Sequence, residues 1–330
     1  MSAVAKTDPI PMMSELVPAP RAWLGPQLRD EEFVAKLPPE CLAELDAVVA
    51  EQRKAPAPTV VLLPEQFRLD ACRRLMGEIK PRLDHGLGFV ILDRLPVDRW
   101  SKQELSDAYW LLGSLLEPPV AQDYARTILY DVRHDGQPYT GETRTALTPE
   151  GLDMHNDSSM GEAPPNYISL LCLQTAKSGG KSSLSSAYAA HNHFLQEHPD
   201  LLERLYRPFY RHRQEYQAPG AEKTNYYPIF TIEKGGLRIR FNGRVIRRGY
   251  AKSGQVLDNE GVQAVELLDS FLGDPAHRHD FWIEPGQIQV LNNRVIVHGR
   301  TPYQDHDEPE KRRHLLRLWL RAGDRRQFRG

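Results

Sequence analysis

Near its C-terminus the chain reads Arg312-Arg313-His314-Leu315-Leu316-Arg317-Leu318-Trp319-Leu320-Arg321, and this stretch decides the fold. Successive side chains of a β-strand point to opposite faces. Read as a strand, one face carries Arg313, Leu315, Arg317, Trp319 and Arg321, and the other carries His314, Leu316, Leu318 and Leu320. The leucine face is the natural one to pack against a helix, which turns the arginine face toward the interior of a sandwich or barrel. A buried guanidinium without an anion costs several kcal/mol. Arg313 and Arg317 therefore imply anionic partners, from acidic side chains or from ligand carboxylates, whose geometry the planar guanidinium fork matches.

Working outward, short strands are expected at 127–133, 166–174, 181–187, 208–213, 227–233, 236–242, 280–284, 287–291 and 313–321. Turn residues such as Gly179-Gly180, Gly235-Gly236 and Pro285-Gly286 separate several of them. Gly86-Leu-Gly-Phe-Val-Ile-Leu-Asp reads as a buried strand, and Thr59-Val-Val-Leu-Leu as a short one. Before the strands come helices: one from Pro39, one across 66–84, and one opened by the capping box Ser101-Lys-Gln-Glu and running to about 116. Helical inserts are expected at 188–205 and 258–273. Helices followed by many short strands predict an α+β fold with a sandwich or barrel core. No repeat or linker is visible, so 1–330 reads as a single domain, with 1–56 an irregular arm and first helix. Residues 134–150 and 214–226 are polar and loop-like, as expected of lids.

With 42 basic and 44 acidic residues, the chain shows no field of one sign that would mark nucleic acid or an anionic membrane as a partner. The three cysteines, Cys41, Cys72 and Cys172, have no metal-site spacing and are expected to be buried thiols. The N-terminus lacks a basic segment followed by an apolar one, and no run approaches the ~20 apolar residues of a membrane helix. A cytoplasmic enzyme acting on a small molecule is expected.

The densest chemistry lies in Met154-His155-Asn156-Asp157 and Asn292-Asn293-Arg294-Val295-Ile296-Val297-His298. At i and i+2 of a strand, His155 and Asp157 share a face and can reach one ion. His298 can complete the set. Two imidazoles and one carboxylate on one face of an octahedron leave three positions open, the arrangement of non-haem iron oxygenases. HxD alone recurs by chance; the ordered set HxD, His and then arginine is far more specific. Other histidines read as bland: His191-Asn-His193 diverge around a helix, and His277, His279 and Asp280 follow a polar turn. Arg244, Arg247 and Arg248 read as a solvated loop.

Together with Gly88-Phe-Val-Ile-Leu, Leu171-Cys-Leu-Gln-Thr-Ala-Lys-Ser-Gly-Gly, Glu284-Pro-Gly-Gln-Ile-Gln-Val-Leu-Asn-Asn-Arg and Val297-His-Gly-Arg-Thr-Pro, these motifs resemble the taurine dioxygenase and clavaminate synthase-like family, from about residue 57 onward. The resemblance implies a double-stranded β-helix (jelly-roll) core with an N-terminal helical layer and helical inserts. It implies Fe(II) held by His155, Asp157 and His298, with 2-oxoglutarate and dioxygen as co-substrates and succinate and CO2 as by-products. Arg313, with Arg312 as the alternative, takes the place of the arginine that grips the distal carboxylate of 2-oxoglutarate. Ser182, with Ser183 as the alternative, stands where relatives carry a threonine after a Gly-Gly-x step. Arg317 takes a place that often meets an anionic substrate, and Asn156 and Ser158 flank the ligands as further substrate candidates. Asp157 argues against halogenation, since halogenases of related fold carry a small residue there. Hydroxylation of a small anionic or zwitterionic molecule is expected; desaturation or cyclisation uses the same ligands. A zinc hydrolase and a non-catalytic binding module are the rivals from other classes.

Overall fold

The computed structural model describes residues 11–134, 148–213 and 220–323. A short helix, α1 (Asp30–Phe33), runs into strand β1 (Val34–Lys36) and helix α2 (Pro39–Lys54). Helix α3 (Asp70–Asp84), strand β2 (Phe89–Asp93) and helix α4 (Lys102–Leu116) follow. The capping box forms as expected: the Glu104 N–H donates to Ser101 Oγ at 3.4 Å, and the Ser101 N–H donates to Glu104 Oε2 at 2.7 Å.

The apolar run at Thr59 does not form the expected strand. Thr59–Val61 is a turn of 3-10 helix, with Val60 and Val61 exposed. It is held from the side by α4: the Thr59 hydroxyl donates to Asp107 Oδ1 at 2.6 Å, and Trp110 Nε1 donates to Leu62 O at 2.9 Å. An apolar run needs a partner strand to become one, and here helix side chains satisfy it first.

Next come β3 (Pro119–Val120), β4 (Tyr130–Val132), β5 (Leu152–His155), β6 (Tyr167–Gln174), β7 (Ser178–Gly179) and β8 (Ser182–Ser186). Helices α5 (Ala187–Glu197) and α6 (Pro199–Leu205) replace the single expected insert. The chain continues through β9 (Pro208–His212), β10 (Thr224–Pro228), β11 (Phe230–Glu233), β12 (Gly236–Ile239), α7 (Gly243–Ser253) and α8 (Asn259–Gly273). It closes with β13 (His279–Phe281), β14 (Ile288–Asn292), β15 (Ile296–Arg300), β16 (Tyr303–Gln304) and β17 (His314–Leu320).

Two sheets carry the core. One has the order β1-β2-β14-β6-β17-β3, with β4 also on β17; the other has the order β13-β8-β15-β5. Apart from the parallel β1–β2 pair, their ladders are antiparallel. Alternation sorts the larger sheet into two faces. Val90, Leu92, Leu316, Leu318 and Leu320 pack with the apolar sides of α2, α3 and α4. Phe89, Ile91 and Trp319 face the other way and share a core with Leu184 and Ile296 of the smaller sheet. The leucine face of β17 thus meets helices, as its pattern requires, and its other face lies between the sheets.

Several expectations are corrected. Arg244, Arg247 and Arg248 lie on α7, not on a loop: the Asn242 side chain caps it by accepting from the Val245 N–H at 3.1 Å, and Gly254 ends it at φ +70°. Val245, Ile246 and Gly249 bury one side of it, a helical spacing hidden among the arginines. His191 is no solvated residue; it is fully buried on α5, 2.9 Å from the Tyr206 hydroxyl, and burial pushes its imidazole down to about 4. The arm is more ordered than expected: it contributes β1 to the sheet and buries Val17, Trp23 and Phe33, with Trp23 Nε1 donating to Leu87 O at 2.8 Å. Cys41 and Cys72, 31 positions apart, meet in the core at 2.7 Å between sulfurs. Of the expected lids, residues 135–147 and 214–219 lie outside the described residues.

Ser101→Ala removes the α4 cap and is expected to lower unfolding stability by about 1 kcal/mol. Urea denaturation should show a lower midpoint with an unchanged slope.

Candidate metal centre

Strand pairing brings the triad together. On β15, His298 pairs directly with His155 of β5, which puts their side chains on one face as cross-strand neighbours. Their ring centroids are 4.4 Å apart. Asp157 follows two residues after His155, past the strand end, and its backbone is clasped by Asn293: the Asp157 N–H donates to Asn293 Oδ1 and Asn293 Nδ2 donates to Asp157 O, each at 3.0 Å. Ligand atoms of His155, Asp157 and His298 all lie within 4.8 Å of one another, and all three residues are buried. Among the described residues this is the one group of three or more such side chains able to hold a metal.

The details suit an ion. His155 Nδ1 lies 2.9 Å from Asp153 O. A carbonyl only accepts, so that nitrogen carries the proton and Nε2 keeps its lone pair. Nε2 of His155 and of His298 lie 3.3 and 3.8 Å from Asp157 Oδ1. Two donors at right angles, each about 2.1 Å from one ion, are about 3 Å apart, so the donor set fits a metal after a small contraction. Burial, helped by the neighbouring His155, depresses the His298 imidazole to about 3, so it stays in the neutral form that a metal needs. Burial alone would raise the Asp157 carboxyl, but Arg317 and the two imidazoles outweigh it and hold the group well below the ordinary carboxylate range.

Asp157 Oδ2 is otherwise engaged. It accepts from Arg317 Nη1 at 3.0 Å and from Trp319 Nε1 at 2.8 Å. Arg317, expected from the sequence to meet substrate, therefore meets Asp157, a member of the candidate triad. Asn156 is likewise not presented to a ligand: its Nδ2 donates to Asn293 O and Ile296 O, and its Oδ1 accepts from the Phe241 N–H. One position along a strand from His155, it points to the opposite face and ties three backbone segments together. Ser158 is buried at φ +52°, in the left-handed region uncommon for a side-chain-bearing residue, and starts a turn closed by the Gly161 N–H.

The second arginine behaves differently. Arg313 is buried, and its Nη1 has no hydrogen-bond partner. Its guanidinium lies 5.3 Å from the centroid of the Tyr303 ring, and that of Arg300 lies 4.6 Å from the same ring. Burial lowers both groups, and the charge of Arg313 lowers Arg300 further, to about 10. Arg300 donates to Thr148 O at 2.7 Å and also to Glu150 O. Arg312, the alternative to Arg313, instead reaches back to His306 O and Asp307 O near the surface. Gly180, at φ +77°, lies close to Arg313: a Cβ there would sit 3.3 Å from Nε, a tight contact that the side chain would have to relieve by a few tenths of an ångström. Ser182 pairs with Arg300 across β8 and β15, on the sheet face that carries His298, whereas Ser183 points the other way and hydrogen-bonds Asp280. Sequence reasoning missed Arg300, Tyr303, Asn293 and Gln122. Arg300 was legible, two residues beyond His298 on one strand face; Gln122 had no signal.

Asp157→Ala leaves the largely buried Arg317 charge without its carboxylate. It is expected to lower the stability of the metal-free protein by about 3–5 kcal/mol, clearly more than His298→Ala does, as read by chemical denaturation in chelator.

Residues 61–319 match the family described as "Taurine catabolism dioxygenase TauD, TfdA family". The chain is 29% identical over 266 residues to FR-33289 synthase of Streptomyces rubellomurinus (strain ATCC 31215), covering 79% of this chain and 76% of that protein. It is 29% identical over 150 residues to a uridine-5'-phosphate dioxygenase of Amycolatopsis sp, covering 45% of this chain and 52% of that one. A crystal structure of asparagine oxygenase with Fe(II), 2S,3S-3-hydroxyasparagine and succinate superposes with a TM-score of 0.65 at 15% identity, over 87% of this chain and 93% of that one. With the family matched over most of its length and the triad assembled, the chain belongs to the taurine dioxygenase (TauD/TfdA) family of Fe(II)- and 2-oxoglutarate-dependent oxygenases.

Proposed function

We propose that the protein hydroxylates an unactivated C–H bond of a small anionic or zwitterionic molecule, with Fe(II) held by His155, Asp157 and His298 and 2-oxoglutarate anchored by Arg313 and Ser182. One observation carries the co-substrate assignment: Arg313 is buried with an unpartnered Nη1. A buried guanidinium lacking a carboxylate is unfavourable until an anion arrives, and a carboxylate matches its fork. Arg300 adds a second buried positive charge across Tyr303. The two sheets are read as the walls of a jelly roll, within one domain that spans the chain.

Iron(II) with 2-oxoglutarate and dioxygen supplies the oxidising chemistry, leaving succinate and CO2. The chain's own residues bind, orient and shield. His155 and His298 offer neutral imidazole nitrogens, Asp157 offers Oδ1, and Arg313 takes the far carboxylate of the co-substrate. Three ligands on one face leave room for a chelating keto acid and dioxygen. A zinc hydrolase would leave the buried positive pair of Arg300 and Arg313 without a purpose.

Two lines support an anionic or zwitterionic substrate. The uridine-5'-phosphate dioxygenase and the asparagine oxygenase carry a phosphate ester and an amino acid in their names. In this chain the loop after Asp157 is braced by positive groups: Arg211 Nη1 donates to Ser159 O at 3.1 Å and Arg240 Nη1 to Gly161 O at 3.3 Å. Arg211 is fully buried with only carbonyl partners among the described residues, and burial lowers it to about 9.

Anaerobic Fe(II) protein titrated with 2-oxoglutarate should develop a weak visible band near ~500 nm, as expected of a chelated keto acid at an open ferrous site. His155→Ala should abolish the band. Arg313→Leu should raise the 2-oxoglutarate Kd at least tenfold, and Arg312→Leu should leave it nearly unchanged. No band at any concentration would overturn the reading.

A further inference from the structure

Asp157 must present one oxygen and no more. A carboxylate that swings to bind through both oxygens occupies an extra coordination position, and the proposed reaction needs three kept open. Rotation about the terminal bond of an aspartate is soft, so the sequence motif alone does not decide which oxygen points where. Three residues outside the HxD…H motif make that decision.

Trp319 Nε1 and Arg317 Nη1 both donate to Oδ2, at 2.8 and 3.0 Å, while Oδ1 faces the two imidazoles. Indole and guanidinium are donors only, so neither can compete for the metal or turn to accept. Arg317 is itself fixed. Its guanidinium lies over the rings of Tyr130 and Trp319, 5.1 and 5.2 Å from their centroids, and its Nε donates to Gln122 Oε1 at 2.8 Å. Gln122 has no exposed surface and its amide is fully engaged: Nε2 donates to Ile128 O at 2.8 Å and to Arg317 O at 3.0 Å. The amide thus holds both the side chain and the backbone of Arg317.

We propose that Gln122, Arg317 and Trp319 form a buried relay that locks the Asp157 carboxylate so that Oδ1 alone is offered to the metal. Arg317 is then a positioning residue rather than a substrate ligand. The substrate's anionic group is then met elsewhere than at Arg317. The proposal rests on the metal centre described above.

The test uses Co(II) alone, without co-substrate. Wild type, Trp319→Phe, Arg317→Lys and Gln122→Met are titrated and their visible spectra recorded, with thermal unfolding of each metal-free protein as the control for folding. Trp319→Phe keeps an aromatic ring and removes the N–H donor, with the thermal control reporting the cost of the smaller ring. It and Arg317→Lys are expected to weaken Co(II) binding roughly 10–100-fold and to change the ligand-field bands as the carboxylate swings. Gln122→Met should shift both in the same direction by less. If Arg317→Lys does not fold, Trp319→Phe decides the matter. Wild type that binds Co(II), with folded variants that match its affinity and spectrum, overturns the relay and leaves the metal centre standing. Wild type that binds no Co(II) overturns both.

Discussion

A buried carboxylate between two imidazoles is the constraint on which the rest of the structure turns. Removing a charge from water is expensive, and the charge survives only if hydrogen bonds replace the lost solvent. Asp157 obtains them from Arg317 and Trp319, two residues of one strand face. That face looks inward because Leu316, Leu318 and Leu320 on the other side of β17 are buried against α2, α3 and α4. The helical layer therefore acts on the chemistry at a distance. A slip of β17 by one residue would exchange the faces, send leucines toward the triad and strand the arginines in the helical core.

The two arginines of this stretch have opposite electrostatic situations, and the difference explains their roles. Arg317 has its anion within the protein. Arg313 and its neighbour Arg300 share the Tyr303 ring and have no carboxylate in hydrogen-bonding contact with their guanidinium groups among the described residues. Both are driven below the usual arginine range by burial. The proposed anchoring of an anion rests on that condition, since the reorganisation needed to create the field is already done. The Gly179-Gly180 step serves the same end. Both glycines have positive φ, and a Cβ at Gly179 would overlap Pro302 O, so the backbone can lie close under the guanidinium and the following strand can bring Ser182 alongside Arg300.

Much of this was legible in the sequence. Period-2 alternation marked both faces of β17, the capping box marked α4, and the ordered HxD…H set marked three side chains that the fold brings together. What was not legible depended on partners. Thr59–Val61 had the composition of a strand but met α4 instead of another strand. The arginines around 244–248 looked solvated because their charge masked the helical spacing of Val245, Ile246 and Gly249. Asn156 looked like a substrate contact by proximity, yet alternation turned it away from His155 and three backbone groups consumed its amide.

The sequence by itself determined which side chains can bind a metal, which strand face is apolar and where the guanidinium groups lie along the chain, because those properties follow from residue type and local periodicity. Tertiary structure alone decided that His155 and His298 are cross-strand neighbours, that Arg317 pairs with Asp157 while Arg313 keeps an unpartnered Nη1, and that Gln122 stands behind the pair. These are contacts between residues as many as 195 positions apart, set by sheet order and register, and no local pattern encodes them.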